Sequence, residues 1–94
     1  MIDPSLPIDD IRRAIDEADA ILLKALAARF RAVKCLAMLK GESNLPVEDA
    51  KREAELKAHW KRQAKKLDLP EPLALLMLDF ILAESKKVQG SPEA

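Results

Sequence analysis

Residues 8–40, IDDIRRAIDEADAILLKALAARFRAVKCLAMLK, form the stretch whose reading decides the fold. Ile8, Ile11, Ile15, Leu22, Leu26, Phe30, Val33 and Leu36 recur at spacings of three, four or seven. That is an amphipathic helical stripe of coiled-coil character. Ser5-Leu6-Pro7 leads into it, Asp9 and Asp10 sit where the helix dipole favours acid, and Gly41 with the following Glu-Ser-Asn-Leu-Pro is read as its stop. A helix of this length spans roughly 50 Å, whereas a compact chain of 94 residues has a radius of gyration of only roughly 12 Å. Its stripe runs past anything the rest of one chain can cover. A second copy is the simplest remedy, so the expectation is a helical homodimer.

The remainder of the chain supports an all-α fold. A second helix is expected over about 48–66, after Pro46 and with Glu48 and Asp49 in its first turn; it is highly charged. Leu69-Pro70-Glu71-Pro72 is a hinge, because proline stops one helix and starts the next. A third helix is expected over about 71–88, with Leu73, Leu76, Met77, Phe80 and Ile81 as its apolar face, and 90–94 as a flexible tail. Only Phe30, Trp60 and Phe80 are aromatic, so the core is aliphatic, which suits helix packing better than a sandwich of strands.

Composition excludes several function classes. Sixteen basic and sixteen acidic residues cancel, which argues against a nucleic-acid binder. No apolar run is long enough to span a membrane, and Met1-Ile2-Asp3-Pro4 lacks the features of a signal peptide. Cys35 is the only cysteine; it has no partner within the chain and reads as a small packing residue. A cytoplasmic location is expected. His59 reads as an exposed polar residue and Trp60 as a docking aromatic, and no metal-ligand spacing, phosphate loop or nucleophile motif is present.

Several polar residues lie on or beside stripes that ought to be apolar. Arg29 falls on the heptad spacing of Ile8, Ile15, Leu22 and Leu36. Lys40 follows it by three turns plus about 20°, so both point from nearly one face, about 16 Å apart. They could grip one small anion or simply snorkel toward solvent. Asp49, Arg52 and Glu53 share a face, as a site or as surface ion pairs. Ser85 and Gln89, four apart, also share one, which ordinary helix-end residues would equally do. Arg12 lies about 25 Å along the helix from Arg29 and about 100° around it. Only a neighbouring chain could bring Arg12 to the same small ligand.

In order, these residues resemble the all-helical chorismate mutase family. Ile11-Arg12-Arg13-Ala14-Ile15-Asp16-Glu17-Ala18-Asp19 is similar to its "LRxxIDxID" opening. Leu22, Leu23, Leu26, Arg29 and Lys40 follow, then Pro46-Val47-Glu48-Asp49-Ala50-Lys51-Arg52-Glu53, similar to its "PVxDxxRE" segment, then Ser85 and Gln89. The resemblance covers about 8–89 without a gap. It implies one domain over 1–94, an intertwined homodimer with two shared sites, and conversion of chorismate to prephenate on the route to phenylalanine and tyrosine, without cofactor or metal. Carried over by position, Arg12 of one subunit and Arg29 of the other bind the substrate carboxylates. Lys40 and Gln89 meet the ether oxygen, and Glu53 holds the ring hydroxyl with help from Asp49. Arg52 and Ser85 orient the carboxylates or their neighbours.

The chain departs from the family at Ile11, where leucine is usual, and at Cys35-Leu36-Ala37-Met38, which replaces a stretch that often carries glycine. Lys86-Lys87 stand in a segment more usually apolar or mixed. The competing expectations are an isochorismate-pyruvate lyase and a 4-amino-4-deoxychorismate mutase on the same fold, a non-catalytic helical adaptor, or a mutase activated by a partner enzyme. Arg52-Glu53 favours the mutase over the lyase, whereas an amine in place of the ring hydroxyl suits Glu53 equally well.

Overall fold

The computed structural model of the chain describes residues 2–43 and 50–90. Among these there are three helices and no strand: α1 (Ile8–Ser43), α2 (Ala50–Lys66) and α3 (Glu71–Gly90). The fold is all-α. The chain divides into two compact units, residues 1–32 and 33–94.

The first unit is led by a local turn. Asp3 Oδ1 accepts hydrogen bonds from the Ser5 amide at 2.9 Å and the Ser5 hydroxyl at 2.8 Å, and the Leu6 amide donates to the Asp3 carbonyl at 3.2 Å. These donors hold the Asp3 carboxyl below its ordinary acidity range. The Pro7 carbonyl then accepts from the Asp10 and Ile11 amides, at 3.0 and 3.2 Å. Pro7 thus caps α1, where its missing N–H costs nothing. No described residue of this unit is buried. Ile8 is 66%, Ile15 53% and Leu22 51% exposed, so the heptad stripe is laid bare to solvent in the single chain.

The second unit begins at the last ten or so residues of α1, where Val33 is buried. Helix α1 runs through Gly41 to Ser43, beyond the stop read at Gly41. A glycine inside a helix costs only about 1 kcal/mol relative to alanine, which does not by itself end one. The expected start of the second helix, including Glu48 and Asp49, lies outside the described residues. Gly90 belongs to α3 and not to the tail; residues 91–94 are likewise outside the description.

Helices α2 and α3 pack against each other as an antiparallel pair. The residues of α2 withdrawn from solvent are Glu53, Leu56, Trp60, Gln63 and Ala64, all on one face, with His59 exposed. On α3 the buried set is Ala74, Leu78, Ile81 and Ser85, spaced four, three and four, again one face. Leu78 is fully buried, a burial worth about 1.5–3 kcal/mol.

The apolar face expected on α3 is therefore corrected. Of Leu73, Leu76, Met77, Phe80 and Ile81, only Ile81 enters the core, and Leu76 and Phe80 are 68% and 66% exposed. Helix α3 is apolar around most of its girth, and two stripes satisfy helical spacing. The one bearing small Ala74 and Ser85 lets α2 come close, and the bulky one faces outward.

The joint between the pair is tightly built. After Lys66 the chain places Asp68 at φ 56°, the left-handed conformation that ends many helices. The Leu69 amide reaches back to the Ala64 carbonyl at 2.9 Å and the Asp68 amide to the Lys65 carbonyl at 3.4 Å. This is a Schellman arrangement. Pro70 then caps α3, its carbonyl accepting from the Ala74 amide at 3.1 Å.

Candidate functional site

The antiparallel pairing sets the start of α2 beside the end of α3, and the ion pairs between the helices record it. Lys61 Nζ lies 4.0 Å from Glu71 Oε1 near the joint, with both side chains more than half exposed. At the other end Lys86 Nζ lies 2.8 Å from Glu53 Oε1, and there the side chains are only 35% and 29% exposed. Glu53 is thus fixed from across the helix pair by a charge-assisted bond. Sequence reasoning marked Lys86 only as a departure from the family and missed this pairing. The available signal was a lone basic residue on a half-buried face, with an acid of the facing helix in need of compensation.

One helical step from Lys86, Ser85 is 4% exposed, and its hydroxyl donates to the Ile81 carbonyl at 2.7 Å. This back-bond within the helix engages the hydroxyl proton. Four residues on, Gln89 Nε2 lies 3.5 Å from the Ser85 carbonyl, at the outer limit of a hydrogen bond. Gln89 Oε1 is buried with no hydrogen-bond partner. Buried polar atoms are nearly always paired; this carboxamide carries unmet hydrogen-bonding capacity.

Glu53, Ser85 and Gln89 are accordingly brought to one end of the α2–α3 pair. Arg52 stands exposed beside Glu53 in the first turn of α2. Lys40 lies on α1 with its side chain outside the described part of the structure, and Asp49 is outside the described residues altogether. Arg12 and Arg29 belong to the first unit. Arg12 is exposed, 4.0 Å from Asp9 in a solvent-facing pair, and Arg29 is half-buried. About 25 Å separates them along the helix, and one copy of α1 does not bring them together. Among the described residues no group of three His, Cys, Asp or Glu is gathered as a metal ion would require, and no helix is long and apolar enough to cross a membrane.

This site has a carboxylate, an ammonium, a hydroxyl and a half-satisfied carboxamide, with no nucleophile beside a base. Such a set can bind and polarise a small polar molecule and stabilise charge that develops on it. Comparison with known proteins gives that capacity a context. The family model described as chorismate mutase type II matches residues 11–90. The chain belongs to the chorismate mutase type II family. Membership makes it an enzyme of the isomerase class, of chorismate mutase type. A curated relative, the chorismate mutase of Methanocaldococcus jannaschii, is 26% identical over 80 residues, which cover 85% of this chain and 81% of that protein. The matched span contains every residue of the site as read from the sequence, Arg12 to Gln89.

Proposed function

We propose that the protein converts chorismate to prephenate for phenylalanine and tyrosine synthesis, acting in the cytoplasm as a cofactor-independent homodimer with two shared active sites. One observation carries the reading. The family match spans a set of cations, carboxylate and carboxamide suited to a dianionic substrate. The exposed heptad stripe of the first unit supports the dimer, since a helical stretch with no buried residue among those described has no core of its own.

In this reading Arg12 from the partner subunit and Arg29 from the home chain bind the two carboxylates. Each guanidinium can do so through a bidentate fork. Glu53 accepts the proton of the ring hydroxyl in a hydrogen bond, with Asp49 at the same helix start. Arg52 and Ser85 orient the carboxylates or their neighbours. In the rearrangement the ether C–O bond breaks as a new C–C bond forms, and the ether oxygen becomes a ketone oxygen. Negative charge grows on that oxygen in the transition state, where Lys40 and the Gln89 amide meet it. No proton is transferred and no covalent intermediate forms. The acceleration comes from holding the substrate in its compact conformer and from fixed charge at the oxygen.

The test is incubation of the purified protein with chorismate and, separately, isochorismate, with products separated by chromatography. Prephenate from chorismate alone is expected. Salicylate and pyruvate from isochorismate would move the chain to the lyase activity, and inertness toward both would refute the proposal.

A further inference from the structure

The sequence leaves open whether the ring substituent is a hydroxyl or an amine, since a lone glutamate accepts a hydrogen bond from either. In the structure Glu53 is not alone. Lys86 Nζ sits 2.8 Å from its Oε1, in a pair about two-thirds withdrawn from solvent. A hydroxyl needs only an acceptor lone pair, and a carboxylate bound to one ammonium through one oxygen still has several. A protonated amine needs more, namely net negative charge to replace its hydration. Here that charge is already compensated, and a second ammonium at Glu53 would lie a few Å from Lys86.

Resting on the reading that Glu53 holds the ring hydroxyl, we propose that Lys86 is a specificity-determining residue that makes the site select the neutral hydroxyl of chorismate against the ammonium of 4-amino-4-deoxychorismate. Lys86 does this by neutralising Glu53 toward cations and fixing its rotamer from α3, and it lessens the repulsion that a bare carboxylate would exert on a dianionic substrate.

The experiment measures kcat/KM for chorismate and for 4-amino-4-deoxychorismate at neutral pH, on the same preparations of wild type, Lys86→Met, Lys86→Arg and Glu53→Gln. Where the amine turns over too slowly, its inhibition constant against chorismate replaces kcat/KM. Comparing two substrates on one preparation cancels any loss of folded protein. Wild type should prefer chorismate. Lys86→Met should shrink that preference by about tenfold or more, a small part of the repulsion between like charges a few Å apart at a partly solvated site. Lys86→Arg should restore it. Glu53→Gln should lower chorismate turnover and push the ratio the other way, because the carboxylate that attracts an ammonium is gone while the positive charge of Lys86 remains. A purely structural role for the pair would move both variants in the same direction. If Lys86→Met keeps the wild-type ratio within twofold while Glu53→Gln impairs chorismate turnover, the inference about Lys86 is overturned and the role of Glu53 stands. If Glu53→Gln leaves chorismate turnover unchanged, the reading of Glu53 itself has failed, and the inference goes with it.

Discussion

Replacing Gln89 by methionine should make the protein more stable and far less active. The side chain's one amide contact is the 3.5 Å approach of Nε2 to the Ser85 carbonyl, too long to contribute more than about 0.5 kcal/mol. Its Oε1 is buried without a partner, and leaving such a group unsatisfied costs about 1–3 kcal/mol. Methionine keeps the length and flexibility of the chain and removes both polar atoms. The difference favours the variant by about 1 kcal/mol, which raises Tm by about 4–8 °C for a domain of this size. Removing a hydrogen-bond donor from a developing oxyanion typically lowers turnover by about 10²–10³.

Thermal unfolding at fixed protein concentration measures the first effect, and a chorismate-depletion assay the second. The concentration must be held because assembly shifts apparent stability. A variant that loses more than about 1 kcal/mol of stability while keeping more than a tenth of wild-type turnover would refute the reasoning on both counts. Gln89 would then be an ordinary residue of the packed helix end. The expected pattern, stability gained and turnover lost, is the mark of a group kept for chemistry at the expense of folding.

Leu78→Ala, at the fully buried centre of the α2–α3 interface, should cost about 3–4 kcal/mol by urea unfolding. A loss below about 1 kcal/mol would mean that this interface is not the core of its unit. Asp68→Gly should raise stability by about 0.5–1 kcal/mol, because Asp68 holds φ 56° and glycine has no Cβ to oppose it; a lower Tm would show that the aspartate contributes something beyond its conformation. Inactive Arg12→Ala and Arg29→Ala chains, once mixed and allowed to exchange, should regain up to about a quarter of wild-type activity. Half the dimers are then mixed and one of their two sites is intact. No recovery after proven exchange would remove Arg12 from the partner's site.

The helical class of this chain is legible because its signals are redundant. Periodicity, proline punctuation and the acidic first turns of α1 and α3 all agree. The face α3 buries was not legible. Leu73, Leu76, Met77 and Phe80 outrank Ala74 and Ser85 in hydrophobicity, yet the smaller residues face α2, because close helix approach depends on volume as well as on polarity. The run of α1 past Gly41 was hidden for a related reason: a local preference of about 1 kcal/mol was read as a stop. For the proposed site, the sequence offers candidate residues in order, and the structure brings Glu53, Ser85 and Gln89 of them to one end of the α2–α3 pair. The grip of Lys86 on Glu53 was not legible, since it joins positions 33 apart in sequence (86 − 53) and depends on the helix joint at Asp68.

The two apolar stripes left exposed bear on how assembly and chemistry are joined. One is on α1, at Ile8, Ile15 and Leu22; the other is on α3, at Leu73, Leu76 and Phe80. Each lies on a helix that also carries residues of the proposed site, Arg12 and Arg29 on the first, Ser85 and Gln89 on the second. In the proposed dimer, α1 therefore serves two ends at once. Its apolar residues bring the copies together, and its arginines, about 25 Å apart along the axis, are divided between the two sites. A straight helix of this length cannot bend Arg12 back to its own Arg29, so the separation that bars a one-chain site is what suits the helix to a shared one. Activity then depends on assembly through geometry alone, with no conformational signal required: a separated chain retains every residue of the site and lacks only the partner's arginine.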